Sequence, residues 1–138
     1  MRVFRCLAVA GLTLFVATGS AQQIRCRNAD SRRAEVQAEN LRSWDGLYKS
    51  YRLYRQCDDG AIGEGYSESV ARILVDHWMT LPRLAQLARK DDEFRRFVLK
   101  HVDETLNHED VKSIRANAEN VCPTRLRHLC DDLMKQAE

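Results

Sequence analysis

The sequence predicts an all-α protein, a compact bundle of about five to six short helices stapled by disulfides. Apolar residues recur at intervals of three and four along most of the chain, which is the spacing of one buried helix face. No run of useful length alternates apolar with polar residues, as a half-buried strand would. Only two prolines, Pro82 and Pro123, occur in the 138 residues. Strands therefore have little support in this sequence.

The first 21 residues have the parts of an export signal. Arg2 and Arg5 supply the basic start, Cys6–Val16 is an apolar run, and small residues precede a cleavage site after Ala21. We therefore expect a cleaved signal peptide, residues 1–21, and a periplasmic product. Removal of the two arginines also balances the 22 basic and 20 acidic residues of the full chain.

The remaining chain, residues 22–138, is long enough for a single helical domain with a modest core and too short for a two-domain enzyme. Its neutral balance argues against nonspecific binding to nucleic acids or anionic membranes, because both need a basic excess. No later stretch approaches the ~20 apolar residues of a membrane span. We expect an exported protein without membrane insertion and without a nucleic-acid partner.

Four cysteines follow the signal: Cys26, Cys57, Cys122 and Cys130. An even set in an oxidising compartment predicts two disulfides. The favoured pairing joins sequence neighbours, Cys26 to Cys57 and Cys122 to Cys130, because the second pair brackets a proline at a helix corner. Cys57 with Cys122 is the main alternative, since both end apolar-periodic segments. The four histidines make no metal-ligand spacing with these cysteines, so we expect no metal and no cofactor.

Capping residues and apolar residues at helical spacing predict the first two helices. Asp30 begins a short polar helix through Arg42, and Ser43 caps a second helix that ends near Cys57. The second helix has a core stripe of apolar and aromatic residues: Trp44, Leu47, Tyr48, Tyr51, Tyr54 and Cys57. Asp58-Asp59-Gly60 then interrupts the helical pattern of apolar residues, and helix capping explains both aspartates.

The strongest helix is predicted from Ala61 to Met79. Its stripe comprises Ile62, Tyr66, Val70, Ile73, Leu74, His77 and Trp78. Gly63 and Gly65 each cost about 1 kcal/mol relative to alanine in a helix. We therefore expect another element to lie close against its first turns.

Shorter helices complete the chain. Pro82 opens one through Arg89, and Asp91 or Asp92 caps the next, in which His101 is expected as a half-buried core residue. A polar corner at residues 107–110 precedes the last two helices. Their apolar positions are Val111, Ile114, Ala118 and Val121, then Leu126, Leu129, Cys130 and Leu133.

The common catalytic motifs do not occur in this sequence. There is no G-x-S-x-G elbow, no H-E-x-x-H, no phosphate loop and no dinucleotide fingerprint. Carboxylate pairs such as Glu64 with Glu68 arise by chance among 20 acidic residues. We therefore expect no enzymatic activity. A surface dense in charge of both signs suits specific docking to a protein.

The pattern resembles one family, the periplasmic immunity proteins that protect bacteria from type VI secretion peptidoglycan amidases. The residues that carry it are Tyr48-Lys49 leading to Cys57, the small-residue helix Gly60-Ala61-Ile62-Gly63-Glu64-Gly65-Tyr66 running to Trp78, Phe97-Val98-Leu99, and Cys122. The resemblance implies a compact helical protein, often a homodimer, that has no activity of its own. It neutralises its secreted toxin by placing a projecting loop into the catalytic cleft.

Three polar corners qualify for that loop, and the one at residues 58–60 is set aside because helix entry and a tight turn already explain its residues. Asn107, His108, Glu109 and Asp110 rank first, because they offer four consecutive polar residues with a histidine and carboxylates. Asp91, Asp92 and Glu93 rank second, because capping explains one aspartate but not the whole run.

Two alternatives remain at this point. An extracellular small-ligand carrier of the insect odorant-binding type shares the size and the paired cysteines, although the C-x-x-x-C spacing near Cys57 is missing. A periplasmic helical chaperone would show L-T-x-x-Q repeats and an exposed apolar cradle, and the sequence has neither.

Overall fold

The computed structural model describes residues 25–103 and 105–138, so the predicted signal peptide lies outside the described residues. Within those ranges the chain forms helices and no strand, which confirms the all-α prediction. Seven α-helices are present, slightly more than expected. They are α1 (Asn28–Ala38), α2 (Trp44–Tyr54), α3 (Gly60–Asp76), α4 (Leu81–Lys90), α5 (Asp92–Lys100), α6 (His108–Asn120) and α7 (Arg127–Gln136). Short 3-10 helices occur at Arg55–Cys57, Trp78–Thr80 and Thr124–Leu126.

Helix α3 is the central element of the bundle. More than half of its 17 residues are buried, and α1 and α6 pack on it from two sides. Helix α4 packs on α5, and α7 packs on α5 and α6. No helix in the described part of the chain is both long enough and apolar enough to cross a membrane.

Helix α1 is ordered by its contact with α3 although its sequence is polar. Its small residues Ala34 and Ala38 are fully buried. A Cβ added at Gly65 would lie 3.1 Å from the Ala38 Cβ and 3.2 Å from the Glu39 backbone nitrogen. Glycine at this position therefore allows the two helix backbones to approach, and the expected close neighbour of α3 is confirmed.

An aromatic cluster joins α2, α3 and α5. The ring of Phe97 lies 5.0 Å from that of Tyr51 and 5.1 Å from that of Tyr66, measured between centroids. Phe94 lies 4.9 Å from Tyr48 in an edge-to-face arrangement. The core face of α2 therefore packs against the two phenylalanines of α5.

The two disulfides have the favoured pairing. Cys26–Cys57 ties the segment before α1 to the 3-10 helix after α2, with Cα atoms 4.8 Å apart. Cys122–Cys130 closes the corner between α6 and α7, with Cα atoms 6.2 Å apart. On the chain-entropy estimate the two rings stabilise the fold by about 3.7 and about 2.6 kcal/mol.

Candidate functional site

The main candidate site is a cleft of about 520 Å³ between α3 and the segment that enters α6. We call it the acidic cleft. Its lining residues are Glu64, Ser67, Glu68, Arg72, Val75 and Asp76 from α3, and Thr105, Leu106, Asn107 and Asp110 from the facing segment. Intervals of three and four along α3 place its lining residues on one helix face.

Four carboxylates, those of Glu64, Glu68, Asp76 and Asp110, dominate the charge of this cleft. None of them forms an ion pair within the described part of the chain. The single cation, Arg72, donates through Nη1 to backbone carbonyl oxygens of the α1–α2 connection, at 3.1 and 3.3 Å. The cleft therefore has an excess of negative charge.

The first predicted corner begins helix α6 and does not form a loop, which corrects that expectation, and its partner-binding role stays a prediction. The Asn107 side chain accepts a hydrogen bond from the Asp110 backbone N–H at 2.9 Å and caps α6. His108, Glu109 and Asp110 form the first turn of that helix. Polar residues are favoured at such a position because they accept hydrogen bonds from backbone N–H groups that have no partner within the helix. Acidic residues there also interact favourably with the positive end of the helix dipole.

Only part of this corner faces the acidic cleft. Asn107 and Asp110 line it, whereas His108 lines a different cleft that includes Val111 and Ala137. Glu109 is exposed and lines neither of the two.

The second predicted corner starts α5 and has structural partners for all three acids. Asp91 caps α5 by accepting from the Phe94 N–H at 3.1 Å, and it also accepts from the Tyr48 hydroxyl. Asp92 and Glu93 both pair with Arg96 one turn later. Asp92 and Glu93 line clefts other than the acidic cleft that Asn107 and Asp110 line. The structure therefore does not combine the two corners into one site.

A buried polar network lies directly behind the acidic cleft. Ser67 Oγ is 2.9 Å from His101 Nδ1, and His101 Nε2 is 3.2 Å from Asp58 Oδ1. Lys100 donates to the other Asp58 oxygen at 2.8 Å. The His101–Asp58 contact has ion-pair distance but lacks hydrogen-bond alignment. His101 is only 2% exposed, so the expectation of a half-buried histidine was wrong.

Asp58 is the electrostatic centre of this network. Burial raises the pKa of its carboxyl, but the contacts with His101 and Lys100 outweigh burial and leave the pKa below its ordinary value. The sequence interpretation treated Asp58 and Asp59 alike as caps, whereas only Asp59 caps α3, by accepting from the Gly60 N–H at 2.9 Å. No local signal distinguishes the two, because the partner of Asp58 is 43 positions later in the chain.

The Ser67–His101–Asp58 order invites comparison with a hydrolytic triad, and two features argue against that chemistry. Ser67 is 4% exposed, so a substrate carbonyl has little access to its hydroxyl. It also lies in the interior of α3, where backbone N–H groups donate to carbonyls four residues earlier. The backbone N–H groups of that stretch are therefore not free to bind an oxyanion. The arrangement gives the buried Ser67 hydroxyl and His101 Nδ1 a hydrogen-bond partner and supports the cleft wall.

A second cleft, of about 430 Å³, has the opposite charge, and we call it the basic groove. It lies between α4, the start of α5 and the Thr124–Leu126 turn with the first residues of α7. Its lining residues are Ala85, Ala88, Arg89, Asp92, Arg95, Arg125, Leu126, His128 and Leu129. Charges of opposite sign are thus segregated into separate clefts on a chain that is nearly neutral.

No set of three or more histidine, cysteine or acidic side chains is arranged for metal binding in the part of the chain that the structure describes. Comparisons with protein-family models, with curated proteins and with solved structures found no match to this chain.

Proposed function

We propose that this chain is a periplasmic immunity protein that binds and neutralises a secreted antibacterial toxin, a cell-wall-degrading amidase. The observation that carries the proposal is the acidic cleft with its four carboxylates that lack ion-pair partners in the described chain. Such a cleft accepts a lysine or arginine side chain of a protein partner. The toxin's basic group would be the complementary charge.

The scaffold supports this use of the cleft. One wall is the central helix α3, and the opposite wall begins at the capped first turn of α6. Both are held in place before binding, so few side chains need to be ordered when a partner arrives. The two disulfides favour an exported location, because such bonds persist in oxidising compartments.

The alternative functions have weaker support. The acidic cleft is lined mostly by polar and charged groups, which do not suit the apolar ligand of a small-molecule carrier. A chaperone cradle would need contiguous exposed apolar residues. The exposed large apolar side chains of the described chain, Val36, Leu53, Met79 and Val121, lie on four different segments.

The test is protection of living cells. The full chain is co-expressed with type VI peptidoglycan amidases directed to the periplasm, beginning with any toxin gene adjacent to its own. We expect survival with one such toxin, and a stable complex of the two purified proteins on size-exclusion chromatography. The elution volume of the protein alone also tests the homodimer that the resemblance implies.

The matched control is the same chain without residues 1–21, which stays in the cytoplasm. It should fail to protect, because the toxin acts outside the inner membrane. Absence of protection and of complex formation across the amidase panel would contradict the proposed function.

A further inference from the structure

The basic groove has an apolar floor between charged walls. Ala85 and Ala88 contribute from α4, and Leu126 and Leu129 contribute from the opposite side. Leu126 is only partly buried, so some of this floor faces solvent. Apolar residues on the floor between charged walls are complementary to the face of one amphipathic helix.

The groove has a positive charge even after the ion pairs formed by its lining residues are taken into account. Arg95 pairs with Asp132, and Asp92 pairs with Arg96, so these charges are already compensated. Arg89 and Arg125 are exposed and have no ion-pair partner in the described residues. They belong to different walls, α4 and the Thr124–Leu126 turn.

The second disulfide holds one wall of the groove in place. Cys122 and Cys130 enclose a short segment that contains Arg125, Leu126 and Leu129. The disulfide therefore orders that wall when the protein folds, so its ordering adds no entropic cost when a partner binds. This gives the Cys122–Cys130 bond a role beyond stability.

We propose that the basic groove binds an acidic amphipathic helical segment of a partner protein. Apolar side chains of the segment would lie on the alanine and leucine floor, and its flanking carboxylates would pair with Arg89 and Arg125. A membrane surface fits less well, because the groove is concave and contains Asp92, and the mature chain lacks the basic excess that anionic lipids attract. This surface is separate from the acidic cleft and does not depend on the proposed toxin.

The test uses a defined probe. A fluorescent 15-residue peptide, with leucines at positions i, i+3, i+4 and i+7 and glutamates on the flanks, is titrated into the mature protein while anisotropy is recorded. We expect saturable binding that weakens with added salt. Amide NMR shifts on binding should map to Ala85, Ala88, Leu126 and Leu129.

Variants assign the binding to the groove. Arg89→Glu/Arg125→Glu should weaken peptide binding by at least about tenfold. The control Arg32→Glu/Arg33→Glu makes the same change of charge on the exposed face of α1 and should have no effect. If the first pair of substitutions unfolds the protein, Arg89→Gln/Arg125→Gln tests the same contacts by removing the two positive charges without reversing them.

Four outcomes would overturn the proposal. Three of them are no saturable binding of the peptide, equal weakening by both double variants, and binding of phosphatidylglycerol vesicles in place of the peptide. Replacing the glutamates of the peptide with lysines should abolish binding, and the fourth contradicting outcome is persistence of that binding, because the arginines would then not select the partner.

Discussion

Replacing Asp58 with asparagine tests the buried polar network most sharply. The substitution keeps the shape of the side chain and removes its charge. Asp58 is nearly buried, with 8% of its side chain exposed, and it is next to both His101 and Lys100. We expect Asp58→Asn to lower the free energy of unfolding at neutral pH by about 1–4 kcal/mol.

The magnitude follows from the exposure of the two partners. Lys100 has 63% of its side chain exposed, so its pair with Asp58 contributes only about 0.2–1 kcal/mol. His101 has 3% of its side chain exposed, and its Nε2 lies 3.2 Å from Asp58 Oδ1, so loss of the Asp58 charge removes an electrostatic contact with a buried nitrogen at a cost of about 1–3 kcal/mol.

The pH dependence provides a second, independent readout. The pKa of Asp58 is lowered in the folded protein from its ordinary 3.8, so its stabilising contribution is present above that value. The contribution is lost as the pH falls through the lowered pKa. The difference between wild type and Asp58→Asn should therefore shrink as the pH is taken from neutral to well below 3.8.

The assay is urea unfolding followed by circular dichroism across that pH range. The matched control is Asp59→Asn, because residue 59 is exposed and asparagine caps a helix as well as aspartate does. It should change stability by less than about 0.5 kcal/mol. Equal effects of the two substitutions, or a loss at Asp58 that does not depend on pH, would refute the reasoning.

Four further predictions concern packing, the disulfides and Ser67. Gly65→Ala should destabilise the fold by about 1–3 kcal/mol in thermal unfolding, because its Cβ would meet the α1 backbone, whereas Gly63→Ala should have a smaller effect. Trp78→Ala should cost about 3–5 kcal/mol in urea unfolding, because the ring is buried and its Nε1 donates to the Val121 carbonyl at 3.0 Å; an unchanged midpoint would contradict this. Thiol titration of the unfolded, unreduced mature protein should detect essentially no sulfhydryl, and two per chain would refute the disulfides. A fluorophosphonate probe should not label Ser67, and labelling would show a reactive nucleophile there.

The helices that carry the core could be predicted because their signals are local. The aromatic stripe of α2 and the Phe94 and Phe97 positions of α5 recur at helical intervals, and Ser43 and Asp91 cap where expected. Helix α6 begins earlier than its apolar positions indicate, because the first turn, His108–Asp110, is polar and adds nothing to the periodicity.

The sites could not be predicted in the same way. The acidic cleft combines α3 with a segment about 40 residues later, and only tertiary packing brings Glu64 and Asp110 to one surface. His101 lies on an apolar stripe, so periodicity identifies it as a core residue and gives no indication of Ser67 or Asp58 as partners. The predicted site residues Asn107 and Asp110 do line the cleft, but as parts of a helix N-terminus.

The most direct test of the central claim is the dissociation constant of the complex with the amidase that the chain protects against. Isothermal titration would compare wild type with the variant Glu64→Gln/Glu68→Gln/Asp110→Asn, which removes three cleft charges. A matched control, Glu35→Gln/Glu119→Gln/Asp131→Asn, removes three exposed charges outside the cleft. We predict that the cleft variant binds at least about tenfold more weakly while the control binds normally. Equal affinity of all three proteins would contradict the assignment of the acidic cleft as the toxin-binding site.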